Sequence, residues 1–256
     1  MSIEVKPLFS GSSGNCTLIT AGGRSLLIDA GVSAKKICEA LGACGTAPDM
    51  IEALFVTHDH IDHVRGISVL SKRYHVPVFM NLSTARACVD AGYFSPDDIA
   101  DSFYLYEKDV VYVRNGLEVR SFPIPHDAAD PVGYRIEYEG EHIAAATDTG
   151  HVTDGMLAHF EGCRTAVIEA NHDPDMLENG PYPRMLKDRI ASPVGHLSNI
   201  DCALFAQKLA ESGTERIILA HISAENNTPE LAYETVRGLT GEGVYIETAA
   251  RDFVRG

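Results

Sequence analysis

Thr57-His58-Asp59-His60-Ile61-Asp62-His63 places three imidazoles and two carboxylates within six residues. The apolar stretch Ala53-Leu-Phe-Val56 leads into it and reads as a buried strand running to Thr57. Side chains alternate along an extended chain, so His58 and His60 point to the same side. A turn into a helix after His60 brings Asp62 and His63 to the same pocket from another direction. Imidazole and carboxylate donors without cysteine suit Zn²⁺, Mn²⁺ or Fe²⁺. Asp59 is expected to be solvated or to brace this loop.

Two ions need more donors than one loop supplies. Three further residues of ligand type each close an apolar run: His126 after Ser121-Phe-Pro-Ile-Pro125, Asp148 after Ala144-Ala-Ala-Thr147, and His221 after Ile217-Ile-Leu-Ala220. Strands in a common sheet deliver such residues to a common rim. Joint metal ligation is therefore the expectation for His58, His60, Asp62, His63, His126, Asp148 and His221.

The flanking pattern is strand-rich at first. Strands are expected at 17–20 and 25–29 around the Gly22-Gly23 turn, at 77–80, at 110–113 and 117–124 around Asn115-Gly116, at 133–138 and 142–147, at 165–169 and at 216–220. Helices are expected over 33–41, with Ser33 as N-cap, and over 64–73, 82–92, 199–211 and 229–239. This is an α/β (α+β) order of two sheets with helices outside, in one domain and without a linker.

The 256 residues carry 21 Lys plus Arg against 36 Asp plus Glu, a net charge of −15. Such a balance disfavours a membrane surface or a wide non-specific nucleic-acid footprint, though not a local cationic site built on metal. The six cysteines form no C-x-x-C pair and are expected to be free thiols. The N-terminus has no basic region followed by an apolar core, so the cytoplasm is the expected compartment, with no membrane partner.

The combination H-x-H-x-D-H, a strand-end His, a strand-end Asp and a last His resembles the metallo-β-lactamase fold, a four-layer αββα sandwich. The resemblance implies that His58, His60 and His126 hold one ion, that Asp62, His63 and His221 hold a second, and that Asp148 bridges. Leu26-Leu-Ile-Asp-Ala-Gly31 is similar to the superfamily segment whose Asp buttresses the histidine loop, a role carried to Asp29.

Further stretches run in the order of the YycJ/WalJ branch of that superfamily: Phe9-Ser-Gly-Ser-Ser-Gly-Asn15, His126-Asp-Ala-Ala-Asp-Pro-Val-Gly133, Glu169-Ala-Asn-His-Asp173, Gly195-His-Leu-Ser-Asn199 and His221-Ile-Ser-Ala-Glu-Asn-Asn227. That resemblance covers essentially the whole chain. It implies phosphodiester hydrolysis, and for this branch a 5′→3′ DNA exonuclease, related to RNase Z, RNase J and the PhnP phosphodiesterases. The intervals from His126 to Asp148 and from Asp148 to His221 leave no room for the tRNA-grasping arm of RNase Z or the β-CASP insert of RNase J. The His of the RNase Z His-Glu-Ala-Thr motif is replaced here by Ile168, with His172 four residues on.

The implied chemistry is two-metal hydrolysis: a hydroxide shared by two divalent ions attacks phosphorus in line, and a nearby acid protonates the leaving oxygen. Asp62 is both ligand and orienter of the nucleophile. His196 and His172 are the candidate proton donors. Ser13, Asn15, Asn171 and Ser198 are candidate substrate contacts, and Glu169 is expected to brace the pocket. The substrate is a single-stranded DNA end or a small phosphodiester; a thioester or lactone hydrolase is the more distant alternative. Metal identity and oligomeric state stay open.

Overall fold

The structure, a computed structural model, describes residues 3–107 and 109–253. The first sheet takes its six strands in chain order: β1 (Glu4–Phe9), β2 (Cys16–Ala21), β3 (Arg24–Ile28), β4 (Ile51–Phe55), β5 (Val78–Asn81) and β6 (Phe103–Tyr106). Helices α1 (Ala34–Ala43), α2 (Ile61–Val64), α3 (Ile67–Tyr74), α4 (Leu82–Asp90) and α5 (Pro96–Ser102) fall between its strands. The second sheet has seven strands, again in chain order: β7 (Val110–Arg114), β8 (Leu117–Pro123), β9 (Val132–Tyr138), β10 (Glu141–Ala146), β11 (Thr165–Glu169), β12 (Arg216–Ala220) and β13 (Tyr245–Thr248). Helices α6 (Asp154–Phe160), α7 (Pro174–Asn179), α8 (Arg184–Ile190), α9 (Asn199–Glu211) and α10 (Pro229–Thr240) accompany it.

Each sheet begins with antiparallel pairing and continues with parallel pairing, from β3 to β6 and from β10 to β13. Two-residue turns join β2 to β3, β7 to β8 and β9 to β10, while β1–β2 and β8–β9 are joined by longer loops; Asn115 and Gly116 both have positive φ, 48° and 80°, as a type I′ turn requires. Parallel neighbours need crossovers, and the helices supply them. Parallel strands end on one edge, so the residues after β3, β4, β10, β11 and β12 gather on one rim.

Alternation along the strands builds three cores and hence four layers. Ala53, Phe55, Val167, Ile218 and Ala220 belong to the core between the sheets. Leu54 and Val56 join Ile37, Leu41 and Leu70 of α1 and α3 on the outer face of the first sheet. Ile168, Ile217 and Leu219 join Phe160, Phe205 and Val236 of α6, α9 and α10 outside the second. This is the αββα sandwich expected from sequence.

The helix expected over 64–73 is interrupted. Gly66 separates α2 from α3 because its N–H donates to Ala30 O at 2.7 Å, and a Cβ there would lie 2.6 Å from Val32 O. Among the described residues, no helix is long and apolar enough to cross a membrane.

Candidate metal centre

The histidine loop is held from beneath by Asp29. Its Oδ1 accepts from Thr57 N at 2.9 Å, and its Oδ2 accepts from Thr57 Oγ1 at 2.8 Å and faces His63 Nδ1 at 2.7 Å. The backbone extends through His60 and turns helical at Ile61, which swings Asp62 and His63 round to the pocket. Asp29, Asp148 and His221, each just past a strand, adopt left-handed backbone with φ of 60°, 59° and 54°. Non-glycine residues are uncommon in that region, and such strain concentrates at functional sites.

These turns bring all seven candidate ligands together. His58, His60 and His126 offer donor atoms within 4.8 Å of one another, as do Asp62, His63 and His221. Asp148 adjoins both sets: it groups with His58 and His63 within 4.8 Å, and its Oδ2 lies 3.4 Å from His63 Nε2 and its Oδ1 3.4 Å from His221 Nε2. Each of four histidines has one ring nitrogen against an oxygen outside the cluster. His58 Nδ1 meets Thr57 Oγ1 at 2.9 Å, His63 Nδ1 meets Asp29 at 2.7 Å, His126 Nδ1 meets Gly195 O at 3.2 Å and His221 Nδ1 meets Glu169 Oε1 at 2.7 Å. That arrangement fixes the tautomer and turns the other nitrogen inward, as metal-binding histidines require.

Three inward atoms, His58 Nε2, Asp148 Oδ2 and His221 Nε2, are buried with no hydrogen-bond partner. A buried unpaired polar atom costs roughly 1–3 kcal/mol, and divalent cations satisfy all three. The donor set and these atoms therefore fit a pair of metal ions. The charges agree. Burial, reinforced by His63 and His126, pushes His58 well below the usual imidazole range. Burial opposes a charge on His63, but Asp148 and Asp29 outweigh it and carry its pKa up to about 9. Burial alone would raise Asp62 and Glu169; instead His221 and His63 hold Asp62 low, and His196 and His221 hold Glu169 low.

Residues 24–222 match the model of the beta-lactamase superfamily domain. The chain belongs to that superfamily. Within it, the chain is 36% identical over 229 residues to the exodeoxyribonuclease WalJ of Streptococcus pneumoniae, covering 90% of this chain and 85% of that one. It is also 36% identical over 236 residues to the exodeoxyribonuclease YycJ of Bacillus anthracis, covering 92% and 88%. The metallo-beta-lactamase fold protein YhfI of Bacillus subtilis superposes with a TM-score of 0.75 at 15% identity over 99% of both chains. This superfamily member is accordingly a metal-dependent hydrolase, with a centre compatible with two ions.

The rest of the metallo-β-lactamase site lies around the cluster. Glu169 is fully buried: Oε2 accepts from the backbone of Thr149 at 3.0 Å and Leu197 at 3.1 Å, and Oε1 faces His196 Nδ1 at 2.8 Å as well as His221. His196 thus stands beside the cluster and lines a cleft of about 240 Å³ over it. Burial would lower the His196 pKa, but Glu169 outweighs it and raises the value. Asn171 also lines the cleft and donates to His221 O at 3.0 Å. Asp59 Oδ1 accepts from Ala129 N at 2.8 Å and ties the histidine loop to the segment carrying His126.

The other sequence candidates lie outside the cleft wall. His172 is buried, its Nδ1 unpaired, outside the ligand groups and the cleft lining. Asn15 is buried and bonds Gly11 at both ends, with Nδ2 2.9 Å from His63 Nε2. Ser198 caps α9, accepting from Asp201 N at 3.1 Å. Ser13 is absent from the cleft wall, where its neighbour Ser12 stands. Sequence alone missed Ser12, Tyr182, Leu186, Ile190 and Ser223 as cleft residues. Ser12 and Ser223 lie inside quoted motifs, one or two positions from residues that were chosen; Tyr182 and Leu186 carried no signal.

Proposed function

We propose that the chain is a dinuclear phosphodiester hydrolase that degrades single-stranded DNA from the 5′ end, using zinc or manganese. The observation that supports this most is the set of buried, unpaired inward atoms of His58, Asp148 and His221, in a chain 36% identical to proteins named exodeoxyribonucleases. His58, His60 and His126 would hold one ion, Asp62, His63 and His221 the other, and Asp148 would touch both. Bound there, two divalent ions would supply Lewis-acid chemistry, making water nucleophilic near neutral pH and drawing charge from phosphoryl oxygens.

The protein's own groups do the rest. Asp62, partly exposed, accepts a hydrogen bond from the attacking water and aligns it. His196, kept protonated by Glu169, donates its proton to the leaving oxygen. Asn171 keeps His221 in place. The reading includes a single catalytic domain with neither a tRNA-binding arm nor a β-CASP insert, working in the cytoplasm.

The net charge of −15 and a cleft whose wall holds a single arginine and no lysine favour a second substrate, a small phosphodiester that needs no groove. Single-stranded DNA labelled at either end separates the two. Stepwise release from the 5′ end by manganese- or zinc-loaded protein supports the exonuclease. Intact DNA beside hydrolysed bis-p-nitrophenyl phosphate supports the small substrate instead.

A further inference from the structure

Six of the twelve residues lining the cleft wall lie outside the ligand set and the residues bracing it: Ser12, Tyr182, Leu186, Arg189, Ile190 and Ser223, and of these six Arg189 alone is cationic. The other basic side chains of its helix are engaged away from the cleft wall. Arg184 pairs with Glu178 at 3.0 Å and Asp188 at 2.8 Å, and Lys187 donates to Glu178 O at 2.5 Å. Arg189 spends only Nε, on Asp127 Oδ2 at 2.5 Å. A guanidinium carries five N–H donors, so four remain, and they have no partner among the described residues.

Arg189 is also fixed relative to the metal cluster. Asp127 follows the ligand His126, and its N–H donates to Val194 O at 3.0 Å. The end of α8 is wedged against the loop of His196: a Cβ on Gly195 would lie 2.3 Å from Arg189 O, and His196 N donates to Ile190 O at 2.9 Å. Cation, ligand and proton donor thus belong to one packed unit. Leu186 and Arg189, three apart on α8, face the same cleft, with Tyr182 just before the helix.

We infer that Arg189 grips the phosphate next to the scissile one and that Tyr182 and Leu186 seat the terminal base, so that the site takes one unpaired nucleotide end of DNA at a time. This rests on the nuclease reading above. A planar fork matches a phosphate's oxygens, and an aromatic face accepts any base, which makes the grip indifferent to sequence. A volume of about 240 Å³ is on the scale of one nucleotide. One cation in an acidic chain also explains how a strand end is held without a basic groove.

The test is steady-state hydrolysis of a single-stranded oligonucleotide and of bis-p-nitrophenyl phosphate by manganese-loaded wild type, Arg189→Ala, Arg189→Lys and Tyr182→Ala over a range of KCl. Arg189→Ala should raise KM for the oligonucleotide roughly tenfold or more. Its plot of log KM against log salt should become shallower by about 0.7, the contribution of one single-strand phosphate contact. Arg189→Lys should recover part of the loss, and Tyr182→Ala should raise KM roughly tenfold. The loss on bis-p-nitrophenyl phosphate, which has no neighbouring phosphate, should be at least about ten times smaller. Equal losses on both substrates, or an unchanged salt slope, would overturn the assignment and leave the nuclease reading intact. A wild type that hydrolyses bis-p-nitrophenyl phosphate and spares DNA would overturn both.

Discussion

Glu169 Oε1 lies 2.7 Å from Nδ1 of His221, inside a pocket where the carboxylate is wholly buried. The same oxygen faces His196 at 2.8 Å, and the other oxygen takes two backbone N–H groups. All four contacts present donors to an acceptor. Glu169→Gln puts an NH₂ against one pair of them. Metal affinity is expected to fall about 10–100-fold, the usual effect of losing such a partner. Competition with a chelator measures it; unchanged affinity would show that Glu169 does not orient His221.

Metal uptake should release protons. Against burial, Asp148 and Asp29 carry the metal-free His63 to about 9, above the ordinary 6.5. Its contribution to the metal-free fold is therefore complete below about 6.5 and is lost as the pH rises through about 9. At pH 7 an incoming cation must displace that proton. Zinc titrations by calorimetry, in buffers of different ionisation enthalpy, should give about one proton or more released per chain, and fewer near pH 10. No buffer dependence at pH 7 would contradict the assignment of His63 as a ligand.

The histidine loop and the rim were legible because they are local: a strand, then ligands at extended and helical spacing, and single polar residues closing apolar runs. The strands 165–169 and 216–220 coincide with β11 and β12 for the same reason, both being short runs buried on two faces. Edge strands β1, β6 and β13 were not read. They alternate weakly, and Pro7 interrupts β1. The cleft wall was illegible in a different way. Helix α8 has seven residues and no side-chain N-cap hydrogen bond, and its place over the cluster comes from contacts with Asp127 and Gly195 that no sequence period encodes. Ser12 rather than Ser13 faces the cleft because Gly11 and Gly14, with φ of 123° and 148°, reset the direction of the loop.

His196 should matter in proportion to the leaving group. A proton donor contributes about 10²–10⁴-fold when an alkoxide leaves, and little when the leaving oxygen is already stable as an anion. His196→Gln is expected to slow DNA hydrolysis by at least about 10²-fold and bis-p-nitrophenyl phosphate hydrolysis by about tenfold or less. Equal slowing on both would reassign His196 to holding the pocket.

Gly31 is where the loop of Asp29 and the loop of Asp62 touch. A Cβ there would lie 1.5 Å from Asp62 O and 2.6 Å from Asn15 N, and backbone on both sides leaves no flexible group to yield. Gly31→Ala is expected to cost about 1–3 kcal/mol or more of stability and to weaken metal binding by displacing Asp62. Thermal unfolding with and without metal reads both effects. A wild-type melting point and affinity would mean that the two loops move independently.

The central claim is that seven side chains hold two ions that hydrolyse phosphodiesters. Metal content and bis-p-nitrophenyl phosphate turnover, measured on the same loaded samples of wild type, His60→Ala and Asp148→Asn, test it most directly. Two divalent ions per wild-type chain are expected, with fewer in each variant and turnover reduced about 10³-fold or more while circular dichroism stays native. Near wild-type turnover in either folded variant would contradict the dinuclear mechanism.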